Sequence, residues 1–347
     1  MNTVMPPAFT VPERLNASSP PEARGLRRDF VKMMVLSRQS GSWIDTSFSQ
    51  LPGFLREGDL LVLNNSRTIP AVFKADIERN GFICKRNQEV RLARRLSEKV
   101  WEVLVPELNL QKNDQMHFSS RLSAEVINFK PELPFTVVEF SAASARLFEE
   151  LYSTGEPVRY EYIHHPWSLD YYQTVYANVP GSVEMPSAGR AFSWELLQKL
   201  QAAGIRTAFL QLHTGLSYLL DDRWHQHPSH NKEHYSIPAA TLSAVKQTKK
   251  DGGRVVPVGT TVVRALETAA RRKSNLSSIS GWTDLYINEA TPLRVADGLI
   301  TGFHEPEASH LDMLSAFLNR NQLITAYQHA LKKGYLWHEF GDINFII

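Results

Sequence analysis

A single cysteine, Cys84, stands among 347 residues. No disulfide can close within such a chain, and the same count argues against an iron–sulfur cluster or a cysteine-based zinc site. A reducing, cytoplasmic setting is the expectation. Long apolar runs are missing too: none approaches the roughly 20 residues needed to cross a bilayer. The opening, MNTVMPPAFTVPERL, has no basic segment followed by an apolar core, so it does not read as a signal peptide. An excess of one charge is also absent. Lys and Arg number 38 and Asp and Glu 36, for a net charge of +2, which does not advertise nucleic-acid binding yet leaves room for a local basic face. Neither a Gly-x4-Gly-Lys phosphate loop, nor a dinucleotide fingerprint, nor the Gly-rich loop of a methyltransferase after a first strand is found.

What remains is a chain of ordinary globular texture, 43% hydrophobic and 21% charged. Its length suggests two domains, or one large domain with an insert. The runs at 32–36 and 60–63 read as buried strands. From 71 to 141 the texture changes to short strand-like runs, at 72–77, 89–92, 100–105, 121–127 and 135–140, with weak helical period. That is the pattern of a small antiparallel barrel or sandwich. The stretch is also the most basic, with Lys85, Arg86, Arg91, Arg94, Arg95 and Lys99, which reads either as a solvated face or as an RNA-facing surface. After 141 the helical period returns. Expected helices lie at 145–152, stopped by Gly155, at 193–203 with Ser193 as cap, at 262–272, at 311–318 and at 322–331. Strands alternate with helices here, so the fold class is α/β. The expected division is an α/β domain of residues 1–70 and 142–347, with an inserted β-barrel domain of residues 71–141.

Four constellations carry groups capable of chemistry. In the first, a strand at 254–258 runs through Gly259-Thr260-Thr261 into a helix, whose first N–H groups can take a carboxylate or phosphate. The competing reading is that Thr260 merely caps the helix. The second is Arg223-Trp-His-Gln-His-Pro-Ser-His-Asn-Lys-Glu-His-Tyr235, with His225, His227, His230 and His234 beside Glu233. Its uneven spacing does not match a helical metal-binding pair, so an acid–base or substrate-binding loop is expected and no metal. The third, Thr301-Gly-Phe-His-Glu-Pro306, puts His304 and Glu305 at a strand end, where α/β sheets bind ligands. The fourth puts His213 at the exit of a strand over 208–212. The polar run Asn64, Asn65, Ser66, Arg67 lies at another strand exit and reads as a satisfied turn or a functional one. None of these alone names a reaction.

Seven segments together are more specific. Gly58-Asp-Leu-Leu-Val-Leu-Asn-Asn-Ser-Arg-Thr-Ile-Pro70, Tyr172-Gln-Thr-Val-Tyr176 with Pro180-Gly-Ser-Val183, Pro186-Ser-Ala-Gly189, Leu212-His-Thr-Gly215, Val258-Gly-Thr-Thr-Val-Val-Arg264, Thr301-Gly-Phe-His304 and Gly341-Asp342 occur in order across nearly the whole chain. In this the chain resembles the S-adenosylmethionine:tRNA ribosyltransferase-isomerases of queuosine biosynthesis. The resemblance implies a large α/β domain from the N- and C-terminal parts with an inserted β-barrel. It implies transfer of the ribosyl group of S-adenosylmethionine to the aminomethyl group of a 7-deazaguanine in tRNA. An epoxycyclopentane forms, adenine and methionine leave, and no cofactor is needed beyond S-adenosylmethionine as substrate. A cytoplasmic monomer is expected.

Such a reaction needs a base for the attacking amine, removal of a proton beside the sulfonium, and an acid for the departing adenine. His213, His230, Glu233, His304 and Glu305 are of the right types. Tyr235 or Trp224 would serve the sulfonium. The methionyl carboxylate would lie at Thr260 and Thr261 or pair with Arg264, and Asn64, Asn65, Arg67 and Arg190 are further candidates for substrate binding. The chain departs from the family pattern in places. Arg190-Ala191 stands where the family has Leu-His, Val31-Lys32 where it has Ser-Arg, Gly302 where it has Asn before Phe-His, and Arg86-Asn-Gln-Glu89 where a Gly-Gly precedes the Val-Glu strand. Two other functions fit the same scaffold: a paralogous transferase with a small-molecule acceptor, and a non-catalytic RNA- or nucleotide-binding protein.

Overall fold

The computed structural model describes residues 9–130, 133–217, 232–272, 279–305 and 309–347. Strand β1 (Lys32–Leu36) buries its Met-Met-Val-Leu run and pairs antiparallel with β2 (Trp43–Ser47). Strand β3 (Leu60–Asn64) is buried at every position, as a strand covered on both faces must be, and β4 (Ser66–Thr68) follows after one residue. Six strands then close an antiparallel barrel in the order β10-β7-β6-β5-β8-β9. They are β5 (Val72–Arg79), β6 (Phe82–Arg95), β7 (Val100–Leu104), β8 (Gln115–His117), β9 (Ser123–Phe129) and β10 (Phe135–Phe140). The alternation of apolar residues fills the interior with Phe73, Ile77, Val90, Leu92, Trp101, Val103, Met116 and Val138. Closure leaves no unpaired edge.

The rest of the chain completes two sheets. Helix α1 (Ser144–Thr154) ends at Gly155, whose bare Cα lies against Phe73; a Cβ there would be 2.4 Å from the ring. Strand β11 (Val179–Ser182) runs parallel to β4. Helix α2 (Trp194–Ala202) is capped by Ser193, whose hydroxyl accepts the Leu196 N–H. Then come β12 (Arg206–Leu212), β13 (Glu233–Ile237), α3 (Ala239–Lys250), β14 (Val255–Pro257), α4 (Thr260–Arg271) and β15 (Ile279–Thr283). The larger open sheet has the order β14-β3-β12-β13-β15; its first three strands are parallel, β13 runs against them and β15 runs against β13. Last come β16 (Leu299–Gly302), α5 (Ser309–Ser315), α6 (Arg320–Lys332) and β17 (Ile343–Ile346), and the second sheet reads β16-β17-β1-β2. A bridge from Val258 to Ile300 joins the sheets.

Mixed α/β architecture with a closed barrel is thus what the chain adopts, and three local expectations are corrected. Helix α4 starts at Thr260, not 262, and its cap is Gly259, at φ 95°, a conformation glycine enters without strain. Thr260 is already helical, so its hydroxyl is not the cap. Glu233, His234 and Tyr235, expected in a loop, open strand β13. Strand β8 has only three residues and β6 is exposed at its first six, so neither shows a readable period.

Several polar residues of the seven segments are braces. Burial would raise the Asp59 carboxyl, but bonds from Arg254 and from the backbone N–H groups of Arg56 and Arg254 hold it below the usual range. Gln173 donates to and accepts from the Thr68 backbone, at 2.8 and 3.1 Å. Asp342 accepts the N–H groups of Lys32 and Leu336 at 2.8 and 2.7 Å. Asn64 is buried and ties two strand exits together: it donates to Leu212 O at 2.8 Å and accepts the N–H groups of Leu212 and Ser66, each at 3.1 Å. Removing one partner of such a buried set costs about 1–3 kcal/mol for each group left unsatisfied. Asn64→Ala should therefore lower unfolding stability by roughly 2–4 kcal/mol in urea titrations. A loss within about 0.5 kcal/mol, the range of a featureless surface site, would show the brace to be dispensable.

Candidate active site

The parallel strands β14, β3 and β12 deliver their carboxyl ends to one rim of the larger sheet, where open α/β sheets bind ligands. A cleft of about 370 Å³ opens there between the sheet and the barrel. From the sheet side come His213, Thr214 and Gly215 after β12, His234 of β13, Trp282 of β15 and Gly181 and Val183 around β11; Arg94, Arg95, Leu96 and Ser97 come from the end of β6. The barrel is fastened beside it by Leu216, whose N–H bonds to Ala93 O at 2.9 Å. Gly215 permits that approach, since a Cβ would be 2.9 Å from the same carbonyl.

His213 is the best-placed of the expected residues. Its Nδ1 is 2.7 Å from the Ser66 hydroxyl, which is 2.6 Å from the Ser182 hydroxyl. Gly181 lies flat against the ring; a Cβ there would be 2.6 Å from Nδ1. Burial, with His234 and Arg95 nearby, pushes the imidazole down to about 4, so it is neutral at pH 7. His234 was not singled out from sequence as a site residue, but alternation along β13 turns it to the cleft while Glu233 and Tyr235 are buried on the other face. Glu233 is ion-paired with Arg264 of α4. Burial pushes its carboxyl up, and Arg264, Arg94 and the Gly215 N–H offset part of that rise. Tyr235 is wholly buried, with the Arg272 guanidinium 5.5 Å from its ring centroid.

A second group of ionisable residues adjoins the Thr301 end of β16. The His304 ring stacks on His310 at 4.1 Å and its Nε2 is 3.3 Å from the Thr301 hydroxyl. Burial pushes His304 well below its ordinary value and His310 to about 4. Glu305 is exposed and 3.2 Å from His338, which stacks on Tyr162 at 4.7 Å. Tyr162 donates to Glu339 at 2.7 Å, and burial with Glu184 nearby pushes Glu339 up to about 8. Glu184 in turn accepts the N–H and hydroxyl of Ser217 at 2.7 and 2.8 Å, four residues on from His213. Of these, His338, Glu339, Glu184 and Tyr162 were not foreseen. They come from distant parts of the chain and belong to no motif.

The other expected residues are spread more widely. Gly259 packs near Ala188, so the start of α4, with Thr260 and Thr261, faces the Pro186–Gly189 turn. Asn64 is consumed by its brace. Asn65 Oδ1 is buried with no hydrogen-bond partner. Arg67 is exposed and lies over Tyr152 at 5.9 Å. Arg190 is 2% exposed and is held by Tyr171 O, the Glu22 carboxylate and the face of Phe340. Trp224 and His230 lie outside the described residues. In the basic stretch, Arg86, Arg91 and Arg94 have carboxylate partners in Asp76, Glu89 and Glu102.

A family model described as queuosine biosynthesis protein matches residues 7–346. The chain belongs to that family. It is 35% identical, over 98% of both chains, to the S-adenosylmethionine:tRNA ribosyltransferase-isomerases of Halothermothrix orenii and of a Thermoanaerobacter species. The crystal structure of the S-adenosylmethionine tRNA ribosyltransferase of Thermotoga maritima matches with a TM-score of 0.56 at 29% identity, covering 98% of this chain and 99% of that one. The resemblance read from the seven segments is borne out, and neither the small-molecule transferase nor the non-catalytic protein is favoured. Among the described residues no helix is long and apolar enough to cross a membrane.

The charge state of Glu339 is testable. Its folded pKa is raised from 4.5 to about 8, so the folded chain holds more protons than the unfolded one between those values. The stability this contributes is complete below pH 4.5 and is lost as pH rises through 8. Glu339→Gln should flatten the pH dependence of the thermal midpoint in that window; a profile parallel to the unsubstituted protein's would refute the shift.

Proposed function

We propose that this family member is an S-adenosylmethionine:tRNA ribosyltransferase-isomerase. It moves the ribosyl group of S-adenosylmethionine to the aminomethyl group of 7-aminomethyl-7-deazaguanine in tRNA, giving epoxyqueuosine, adenine and methionine. The observation that carries this reading is the end-to-end match to relatives bearing that name, at an identity that spans barrel and sheets alike. S-adenosylmethionine is a substrate and no further cofactor is required. A cytoplasmic setting follows from the tRNA substrate, and the working unit is a single chain.

The site residues divide by environment. The cleft beside His213 has the volume of a nucleoside-sized ligand pocket. His213 and His234 face the substrate there, and Arg94 and Arg95 bring positive charge from the barrel toward the tRNA backbone. The start of α4, at Thr260 and Thr261, offers N–H groups to the methionyl carboxylate. The Glu233–Arg264 pair stiffens the segment next to it. His304, with Glu305, stands at the end of β16 and handles protons, together with Glu339. Residues 71–141 form the inserted domain, and the remainder is the catalytic one.

The test is adenine release. Incubation with S-adenosylmethionine and tRNA carrying 7-aminomethyl-7-deazaguanine should liberate adenine and methionine in equal amounts. His213→Ala should slow release about 100-fold or more, the usual contribution of a positioned proton-transfer group. No adenine from the unsubstituted protein, with fully modified tRNA, would sink the assignment.

A further inference from the structure

We propose that Ser66 and Ser182 form a one-way hydroxyl relay that holds His213 as its neutral Nε2–H tautomer, so that His213 is a hydrogen-bond donor to the bound substrate and not the base. The donor role rests on the activity proposed above; the tautomer does not.

Ser66 and Ser182 are both wholly buried. The Ser182 hydroxyl oxygen accepts the Thr214 backbone N–H at 3.2 Å, and that direction is fixed because an amide N–H only donates. Its other neighbour is the Ser66 hydroxyl at 2.6 Å, and the Ser66 hydroxyl has one further neighbour, His213 Nδ1 at 2.7 Å. If Nδ1 carried the proton it would donate to Ser66, and the single contact between Ser66 and Ser182 could then use only one of their two hydroxyl hydrogens. The other would be buried with no acceptor among the described residues, a costly arrangement. Run the other way, every hydrogen is used. Thr214 donates to Ser182, Ser182 to Ser66, and Ser66 to a bare Nδ1.

The remaining ring proton then sits on Nε2, which has no hydrogen-bond partner among the described residues, while the ring lines the cleft. Ring orientation is fixed as well, since Gly181 leaves no gap on one side. An imidazolium is disfavoured by the same relay, by burial, and by His234 and Arg95 nearby. A neutral Nε2–H is the group a departing purine needs, because the unprotonated ring nitrogens of adenine accept a hydrogen bond as the glycosidic bond breaks and electrons flow into the base. Ser66 and Ser182 are thus positioning residues. The proton acceptors of the reaction fall to other groups.

The deciding measurement is the nitrogen spectrum of the full chain labelled with nitrogen-15 histidine at pH 7, with the His213 signals identified by their loss in His213→Gln. We expect a pyridine-type Nδ1 and a pyrrole-type Nε2; a protonated Nδ1, in the neutral ring or in an imidazolium, overturns the proposal. Ser66→Ala should mix the two tautomers, since Nδ1 then has no hydroxyl to accept from. The same variant and Ser182→Ala should lower kcat for adenine release about tenfold or more through lost orientation, with KM within about twofold. Unchanged spectra and kcat in both would make the relay dispensable and overturn it. Should either variant fail to fold, the spectrum of the unsubstituted chain still decides. Absence of adenine release from the unsubstituted chain would defeat the assigned reaction and leave the tautomer standing on its own spectrum.

Discussion

The three hydrogen bonds made by the Asn64 carboxamide hold the rest of the site in place. One side chain at the last residue of β3 grips both polar groups of Leu212, at the last residue of β12, and the N–H of Ser66. The parallel exits of two neighbouring strands are thereby locked at one spacing. Ser66 lies two residues after Asn64 and His213 directly after Leu212, so the 2.7 Å contact between them is inherited from the brace. β11 is drawn in by pairing with β4 and brings Ser182 and Gly181 to the same point. The loop that continues through Gly215 and Leu216 then fixes the barrel against it. An amide suits this place better than a carboxylate would, since it must donate and accept at once with no charge to bury.

Around this brace the molecule keeps its histidines neutral. Burial depresses His213, His304 and His310 alike, and Glu339 is raised toward the protonated form. Charges that must be buried are matched: Asp59 with Arg254, Glu233 with Arg264, Arg190 with Glu22. Such a rim works by hydrogen-bond direction more than by net charge.

Much of the fold was legible in the sequence because it rests on periodicity. The barrel announced itself by runs with a period of two, the strands at 32–36 and 60–63 by unbroken apolar residues, and α2 by Ser193 and its apolar stripe. Strands without a period were missed: β8, with a single buried residue, and β11, with Pro180 and Gly181 in it. Candidate residues were legible where a motif carried them, as with His213, which lines the cleft, and His304. The motif does not separate a brace from a reactive group: Asn64 and Arg190 are both buried and tied to distant parts of the chain. His234 was hidden for a different reason: without knowing that 233–237 is a strand, nothing tells which of Glu233, His234 and Tyr235 turns to the cleft. The cluster of Tyr162, Glu184, His338 and Glu339 has no sequence signal, because only the tertiary fold brings residues 162, 184 and 338 together.

The lone cysteine, met first as an exclusion, has an experimental use. Cys84 is exposed near the tip of the long β5–β6 hairpin, while Arg94, ten residues further along the same strand, lines the cleft. At about 3.3 Å per strand residue, the two are some 30 Å apart. The unaltered chain therefore has one thiol for a maleimide dye or spin label, on the barrel and remote from the reacting groups. Motion of the barrel against the sheets can be followed by attaching a single reporter, without first deleting other cysteines.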